Sequence, residues 1–286
     1  MSPVAALAEI DGRASVFRTP CGASGSMAWR IWGDRTRKDR APLVLLHGAF
    51  GTWAHFARNV LPLSEHVTVV APDMPNHGES DMLPEGSQAP EFGTAIASGL
   101  TTLFPDAPGF QIVGFSLGGI LGAWTAAALG AKAAGFVICS TGAIDGPYRK
   151  VGGLRKWHRD MDVAEMEAIH RHNLGILMFA ESSRVDDLAV HIQRTNALCT
   201  RVRGPDIVPP GSILQALARI EAPVDGVWGG EDVYAKGILA EREALIRRTK
   251  PDFAMHVVPS AGHWVMYEQA ERFNNLVIDI LSARNT

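Results

Sequence analysis

Apolar residues along this chain fall into short unbroken runs separated by longer stretches with helical spacing. The runs Leu43–Leu46, Val67–Val70, Phe110–Phe115, Gly135–Cys139, Val224–Trp228 and Ala254–Val258 read as strands buried on both faces. Ser15–Thr19 and Met27–Trp32 flank the turn-forming stretch Gly22–Ser26, which predicts an antiparallel pair at the start. Between the buried runs lie segments long enough for helices: Trp53–Leu63, Ala89–Phe104, Leu117–Leu129, Leu239–Arg248 and Tyr267–Leu281. Strands alternating with helices predict an α/β fold whose mostly parallel sheet is covered on both faces.

One segment departs from this alternation. From Gly146 to Gly211 no buried strand is evident, while Val163–Ala180 and Val185–Thr200 space their apolar residues helically. Gly146-Pro147 at one end, and Gly204-Pro205 with Pro209-Pro210-Gly211 at the other, suit a chain leaving and re-entering a sheet. The expected division is a core over 1–145, a helical cap over 146–211 and the rest of the core over 212–286.

With 286 residues, 47% of them hydrophobic and 20% charged, the chain can build a core without disulfide or metal staples. A net charge of -3 and only brief basic clusters, Arg35–Arg40 and Arg201–Arg203, argue against nucleic-acid binding. Three scattered cysteines, Cys21, Cys139 and Cys199, favour a reducing compartment over a disulfide framework or a zinc site. The apolar stretch Val4–Ala8 is too short for a signal peptide, and no run of eighteen apolar residues could span a membrane. A cytoplasmic location is expected.

Candidate chemistry begins at Gly114-Phe115-Ser116-Leu117-Gly118, a G-x-S-x-G placed directly after a strand and before a helix. That context predicts a tight turn presenting the Ser116 hydroxyl above the sheet. A serine needs a base and an orienting acid, expected in the order Ser, Asp or Glu, His. Asp232 is the chosen acid with Glu231 as fallback, both after the Val224–Trp228 strand, and His263 follows the next strand in Ala261-Gly262-His263. All three positions fall at strand ends facing one edge. His256 is the competing base but lies inside a predicted strand.

A developing oxyanion needs donors. The Leu117 N–H at the helix start is one, and Ala49 N–H, with Phe50 in reserve, is the other, from the loop His47-Gly48-Ala49-Phe50-Gly51. His47 is expected to support that loop. His170 and His172 are two apart and diverge on a helix, no metal motif is present, and no phosphate-binding glycine pattern occurs, so neither metal nor nucleotide is implied.

Together, His47-Gly48, Asp73-x-x-x-His77-Gly78-x-Ser80, Gly114-x-Ser116-x-Gly118, Asp232 and Gly262-His263 resemble the α/β-hydrolase family across nearly the whole chain. The resemblance implies an eight-stranded sheet flanked by helices, a helical cap inserted after the sixth strand, and hydrolysis without a cofactor. The tail Ala261-Gly262-His263-Trp264, Tyr267-Glu268-Gln269-Ala270 and Phe273–Asp279 is similar to that of the meta-cleavage-product hydrolases, which cleave carbon-carbon bonds. By that resemblance Trp264 and the cap arginine Arg194 would contact substrate. Two departures stand out: a glycine-rich H-G-G-G-P-G loop is replaced by His47–Gly51, and the asparagine before the nucleophile is Phe115, which offers only apolar contact.

The expected function is therefore acyl transfer to water on a small, largely hydrophobic carbonyl substrate, most simply an ester. Carbon-carbon hydrolysis of dienoate ring-fission products is the alternative, and a non-catalytic ligand receptor on the same fold is the rival of another class. Phe50, Phe115, Trp157, Met178, Arg194 and Trp264 are the expected substrate contacts, with Leu174, Leu177 and Phe179 completing an apolar lid. The expected partner is a small molecule, with neither nucleic acid nor membrane; the oligomeric state, a homo-oligomer included, is left open.

Overall fold

The computed structural model describes residues 1–142, 144 and 151–284. In chain order it runs α1 (Pro3–Asp11), β1 (Ser15–Cys21), β2 (Gly25–Trp32), β3 (Leu43–Leu46), α2 (Val60–Ser64), β4 (Val69–Pro72), α3 (Ala89–Leu103), β5 (Phe110–Phe115), α4 (Leu117–Leu129) and β6 (Ala133–Cys139). Four helices follow: α5 (Val163–Leu177), α6 (Asp187–Cys199), α7 (Gly204–Ile207) and α8 (Ser212–Leu217). The chain ends with β7 (Val224–Gly229), α9 (Leu239–Arg247), β8 (Ala254–Val258), α10 (Val265–Glu268) and α11 (Ala270–Ala283).

The eight strands form one sheet in the order β1-β2-β4-β3-β5-β6-β7-β8, the α/β-hydrolase fold. β1 pairs antiparallel with β2, and β2 with β4; every other pairing is parallel. Period-two alternation sorts each central strand between two core layers. Val44, Leu46, Phe110, Ile112, Phe136 and Ile138 pack on the side holding α3, α4 and α8. Leu43, Leu45, Val113, Phe115, Val137 and Cys139 pack on the side holding α2 and α11. These strands are buried on both faces, so their sequences are apolar runs rather than alternating patterns.

Several elements differ from the sequence reading. Trp53–Leu63 is a 3₁₀ turn at Trp53–Phe56 followed by α2, because a continuous helix would place the Pro62 ring against the Arg58 carbonyl. The strand expected at Val67–Val70 is shifted to Val69–Pro72, where it meets both Leu43–Val44 of β3 and Trp29–Trp32 of β2. Tyr267–Leu281 begins earlier and divides into α10 and α11 at Gln269, whose φ of -125° and ψ of 50° are not helical. The first inserted helix stops at Leu177, and a 3₁₀ turn at Ser182–Arg184 precedes the second. Helix α1 has only a weak apolar signal; Ser2 caps it, and Trp32 Nε1 donates to its Ile10 carbonyl at 2.9 Å.

The inserted helices α5 and α6 follow β6, the sixth strand, and lie over the carboxyl ends of the parallel strands, since they reach the loops there. Thr52 donates to Asn196 Oδ1 of α6 at 2.9 Å, and the Arg201 N–H donates to the Asn76 carbonyl at 3.0 Å. The Gly146-Pro147 boundary lies outside the described residues. No helix among the described residues is long and apolar enough to cross a membrane.

Candidate active site

Ser116 sits between the last residue of β5 and the first of α4 with φ of +53°, a conformation that strains a residue bearing a side chain. The turn is held from both sides: the Ser116 N–H donates to the Cys139 carbonyl at 2.9 Å, and the Ser116 carbonyl accepts the Gly119 N–H at 3.0 Å. A methyl group on Gly114 would overlap the Gly118 carbonyl, and one on Gly118 would overlap the Leu46 carbonyl. The two glycines are therefore what lets helix and strand approach closely enough for this turn.

Asp232 lies in the turn after β7 and is 0% exposed, while His263 follows β8 and is 4% exposed. The His263 Nδ1–H donates to Asp232 Oδ2 at 2.9 Å, and His263 Nε2 stands 3.1 Å from Ser116 Oγ. The other Asp232 oxygen accepts the Tyr234 N–H at 2.9 Å. With both carboxylate oxygens engaged, the imidazole has one orientation and presents Nε2 to the hydroxyl. The rings of Phe115 and Tyr234 stand 5.1 and 4.8 Å from the His263 ring and hold it from two sides.

Glu231 is exposed and paired with Lys236, pointing away from this line. His256 lies inside β8 beside Asp225, at the start of β7 and the end of the sheet away from Asp232. Neither joins the Ser116 cluster.

The loop after β3 passes beside Ser116: a methyl on Gly48 would touch both the Phe115 ring and Ser116 Cβ. His47 Nε2 accepts the Met74 N–H at 2.9 Å, so Nδ1 carries the proton and donates to the Gly48 carbonyl at 2.9 Å. Its complete burial holds the imidazole well below its ordinary pKa, hence neutral. Ala49 and Phe50 follow, Phe50 with φ of +53°. Leu117 opens α4, and first-turn amides of a helix lack intrahelical acceptors.

A cavity of about 460 Å³ opens over Ser116. Of the residues expected around it, Ala49, Phe50, Phe115, Trp157, Leu174, Leu177 and Met178 line it together with Ser116 and His263. Trp264, Arg194 and Phe179 do not. Trp264 is fully buried behind His263, its Nε1 donating to the His55 carbonyl at 2.9 Å and its ring stacked on Tyr267 at 4.3 Å. Phe179 packs on Trp264 and Tyr267. Arg194 Nε donates to Glu167 at 3.1 Å, while its neighbour Gln193 lines the cavity.

Sequence reading missed Tyr234, His170, Gln193 and the Arg203–Pro205 corner, all of which line the cavity. Tyr234 carried a signal, standing two residues after the acid; the others come from separate inserted helices whose relative placement no motif encodes. His170 is buried against Trp157, with ring centroids 5.2 Å apart, and burial pushes its pKa down to about 4. No group of three or more His, Cys, Asp or Glu side chains among the described residues is arranged to hold a metal ion.

Comparison with known proteins matches residues 43–276 to a family model described as the alpha/beta hydrolase family. A 2-hydroxy-6-oxononadienedioate/2-hydroxy-6-oxononatrienedioate hydrolase of Cupriavidus pinatubonensis is 26% identical over 280 residues, covering 90% of this chain and 92% of that protein. Among solved structures, an esterase from a Rhodococcus species superposes with a TM-score of 0.74 at 20% identity, covering 94% of this chain and 98% of the other. A mutant meta-cleavage product hydrolase superposes with a TM-score of 0.71 at 20% identity over the same shares of the two chains.

Proposed function

Because the chain belongs to the alpha/beta hydrolase family, we propose that it is a serine hydrolase cleaving small, largely hydrophobic carboxylic esters through Ser116, His263 and Asp232. The single observation that carries this reading is the His263 imidazole spanning Asp232 at 2.9 Å and Ser116 at 3.1 Å beneath a largely apolar cavity. In this mechanism Ser116 Oγ attacks the ester carbonyl while its proton passes to His263 Nε2. The Ala49 and Leu117 N–H groups stabilise the tetrahedral oxyanion. The imidazolium returns the proton to the departing alkoxide, leaving an acyl group on Ser116. Water, deprotonated by the same imidazole, then releases the acid, and Ser116 regains its proton. Asp232 holds the tautomer and stabilises the imidazolium in both halves.

Residues 146–211 serve as the cap that selects the acyl group, Trp157, Leu174, Leu177 and Met178 supplying its apolar surface. Phe50 at the cavity mouth and Phe115 beside the nucleophile add apolar contact on the core side.

Carbon-carbon hydrolysis is the second reading, favoured by the similarity to the Cupriavidus hydrolase. Such dienoate substrates are anionic and enolised. Against that reading, Arg194 is paired with Glu167, Trp264 is buried behind the histidine, and Phe115 offers no hydrogen bond. The deciding experiment assays purified protein on p-nitrophenyl esters of two to eight acyl carbons and on a dienoate ring-fission product. Ester kcat/KM should exceed the dienoate value by about 100-fold or more; the opposite ratio overturns the ester assignment. Tight binding of such compounds without any turnover would point to the receptor reading instead.

A further inference from the structure

His55 has no place in the mechanism above, yet it touches a chain neighbour of Ser116, of His263 and of Ala49. Its Nδ1 accepts the Gly48 N–H at 3.2 Å. Its ring stands edge-on to Phe115, the residue before Ser116, at 5.6 Å, and to Trp264, the residue after His263, at 5.2 Å. Its carbonyl takes the Trp264 indole N–H. The imidazole also occupies the space where a side chain on Gly51 would begin, so the loop closes around it. The ring is 1% exposed, and burial beside His77 and His263 lowers its pKa to about 3.

Gly48 is thereby held at both ends. Its N–H is bound by His55, and its carbonyl accepts from His47 Nδ1–H at 2.9 Å. In a trans peptide the N–H points opposite to the C=O of the same unit. With the Gly48 carbonyl fixed toward His47, the Ala49 N–H faces the other way, and Gly48 lies against the Ser116 side of the loop. The Gly48 N–H, already engaged, is withdrawn from the set of oxyanion donors.

We propose that His55 is a positioning residue for the oxyanion loop, acting as a neutral imidazole whose unprotonated Nδ1 fixes the Gly48 amide so that the Ala49 N–H is aimed at the developing oxyanion. The inference rests on the acyl-transfer reading of the site. Its effect belongs to the transition state: a misaimed donor leaves ground-state binding in the apolar cavity intact and weakens only the charged intermediate.

The test compares His55→Asn with His55→Leu. The two replacements have nearly the same shape and both lose the ring contacts, but only Asn keeps an acceptor where Nδ1 stood. For a p-nitrophenyl ester, His55→Leu should lower kcat by about 100-fold with KM changed less than about threefold. His55→Asn should retain kcat within about tenfold of the native protein. Inhibition by an aryl trifluoromethyl ketone, which forms the tetrahedral oxyanion on serine, should weaken in step with kcat/KM. Equal losses in the two variants, or a loss confined to KM, overturn the assignment. Independently of variant folding, ¹⁵N-detected imidazole NMR of the native protein should find the His55 proton on Nε2, and a proton on Nδ1 overturns it. A native protein inactive on all esters counts against the ester reading itself, while the NMR tautomer still decides the state of His55.

Discussion

The carbonyl of Met178, a residue lining the cavity wall, accepts the N–H of Trp264, the residue after the histidine, at 2.8 Å. On the other side of His263, the Gly262 N–H donates to the buried carboxylate of Glu268 at 2.7 Å, and the same carboxylate accepts the Ala180 N–H at 2.9 Å. Both chain neighbours of the imidazole are thus bonded to the end of α5 or to a group that holds it. Replacement Glu268→Gln puts an amide NH₂ among donors that need acceptors, and should lower folding stability by about 1–3 kcal/mol. Urea unfolding measures this directly; unchanged stability would show that the carboxylate does not join the two segments.

Ser116→Ala and His263→Ala should each reduce kcat on an ester by at least about 1,000-fold, and the double variant should fall little further, because the hydroxyl and imidazole act as one unit. Single-turnover kinetics with p-nitrophenyl butyrate will read all three proteins. Multiplying losses in the double variant would mean that the groups act independently.

The two adjacent acids separate by environment. Asp232→Asn removes the acceptor that fixes the His263 tautomer and should cost about 100-fold or more in kcat. Glu231→Gln breaks only an exposed pair with Lys236 and should leave kcat within about twofold. Steady-state kinetics of both variants decides the assignment, and a reversed order would transfer the orienting role to Glu231.

Arg194 is spent on Glu167 in this structure. Arg194→Met should therefore leave KM for p-nitrophenyl esters within about threefold, since this guanidinium does not line the cavity. A tenfold or larger rise in KM would show that the guanidinium reaches the cavity during turnover.

Three buried imidazoles surround the loop after β3, and burial keeps all of them neutral: His47 well below its ordinary value, His55 at about 3 and His77 at about 4. Their unfolded value is 6.5, so between pH 6.5 and 5 the unfolded chain binds protons that the folded chain refuses. The contribution to stability is complete above pH 6.5 and is lost as pH falls toward the folded values, by up to about 1.4 kcal/mol per pH unit for each ring. Asp73, whose carboxyl is pushed up by burial, acts in the opposite sense but is one group against three. Calorimetric Tm should fall steadily from pH 7 to pH 5; a flat profile would mean that these rings are charged inside the fold.

How far the sequence could be read follows from how local each signal is. The buried strands were legible because a strand covered on both faces must be apolar throughout, and the turn at Ser116 because only glycine at 114 and 118 permits its close contacts. The serine, acid and histidine after β5, β7 and β8 were legible because parallel strands bring their carboxyl ends to one edge. Helix boundaries were less so. The helix expected over Trp53–Leu63 ran through Pro62, whose ring forces the break before α2, and the division at Gln269 is set by tertiary contacts, including the Glu268 carboxylate that turns back to Gly262 and Ala180.

Sequence alone therefore determined the sheet, the nucleophile turn and the serine and histidine expected there, with the acid narrowed to Asp232 or its neighbour Glu231, because each depends on short-range sterics and on strand direction. Tertiary structure decided which acid faces inward, that Trp264 lies behind His263 instead of in the cavity, that Arg194 is already paired, and that His55 grips the loop beside Ser116. These are contacts between residues as much as 209 positions apart, as at Trp264 and His55, and side-chain direction at such distances is set by packing, for which no local pattern exists.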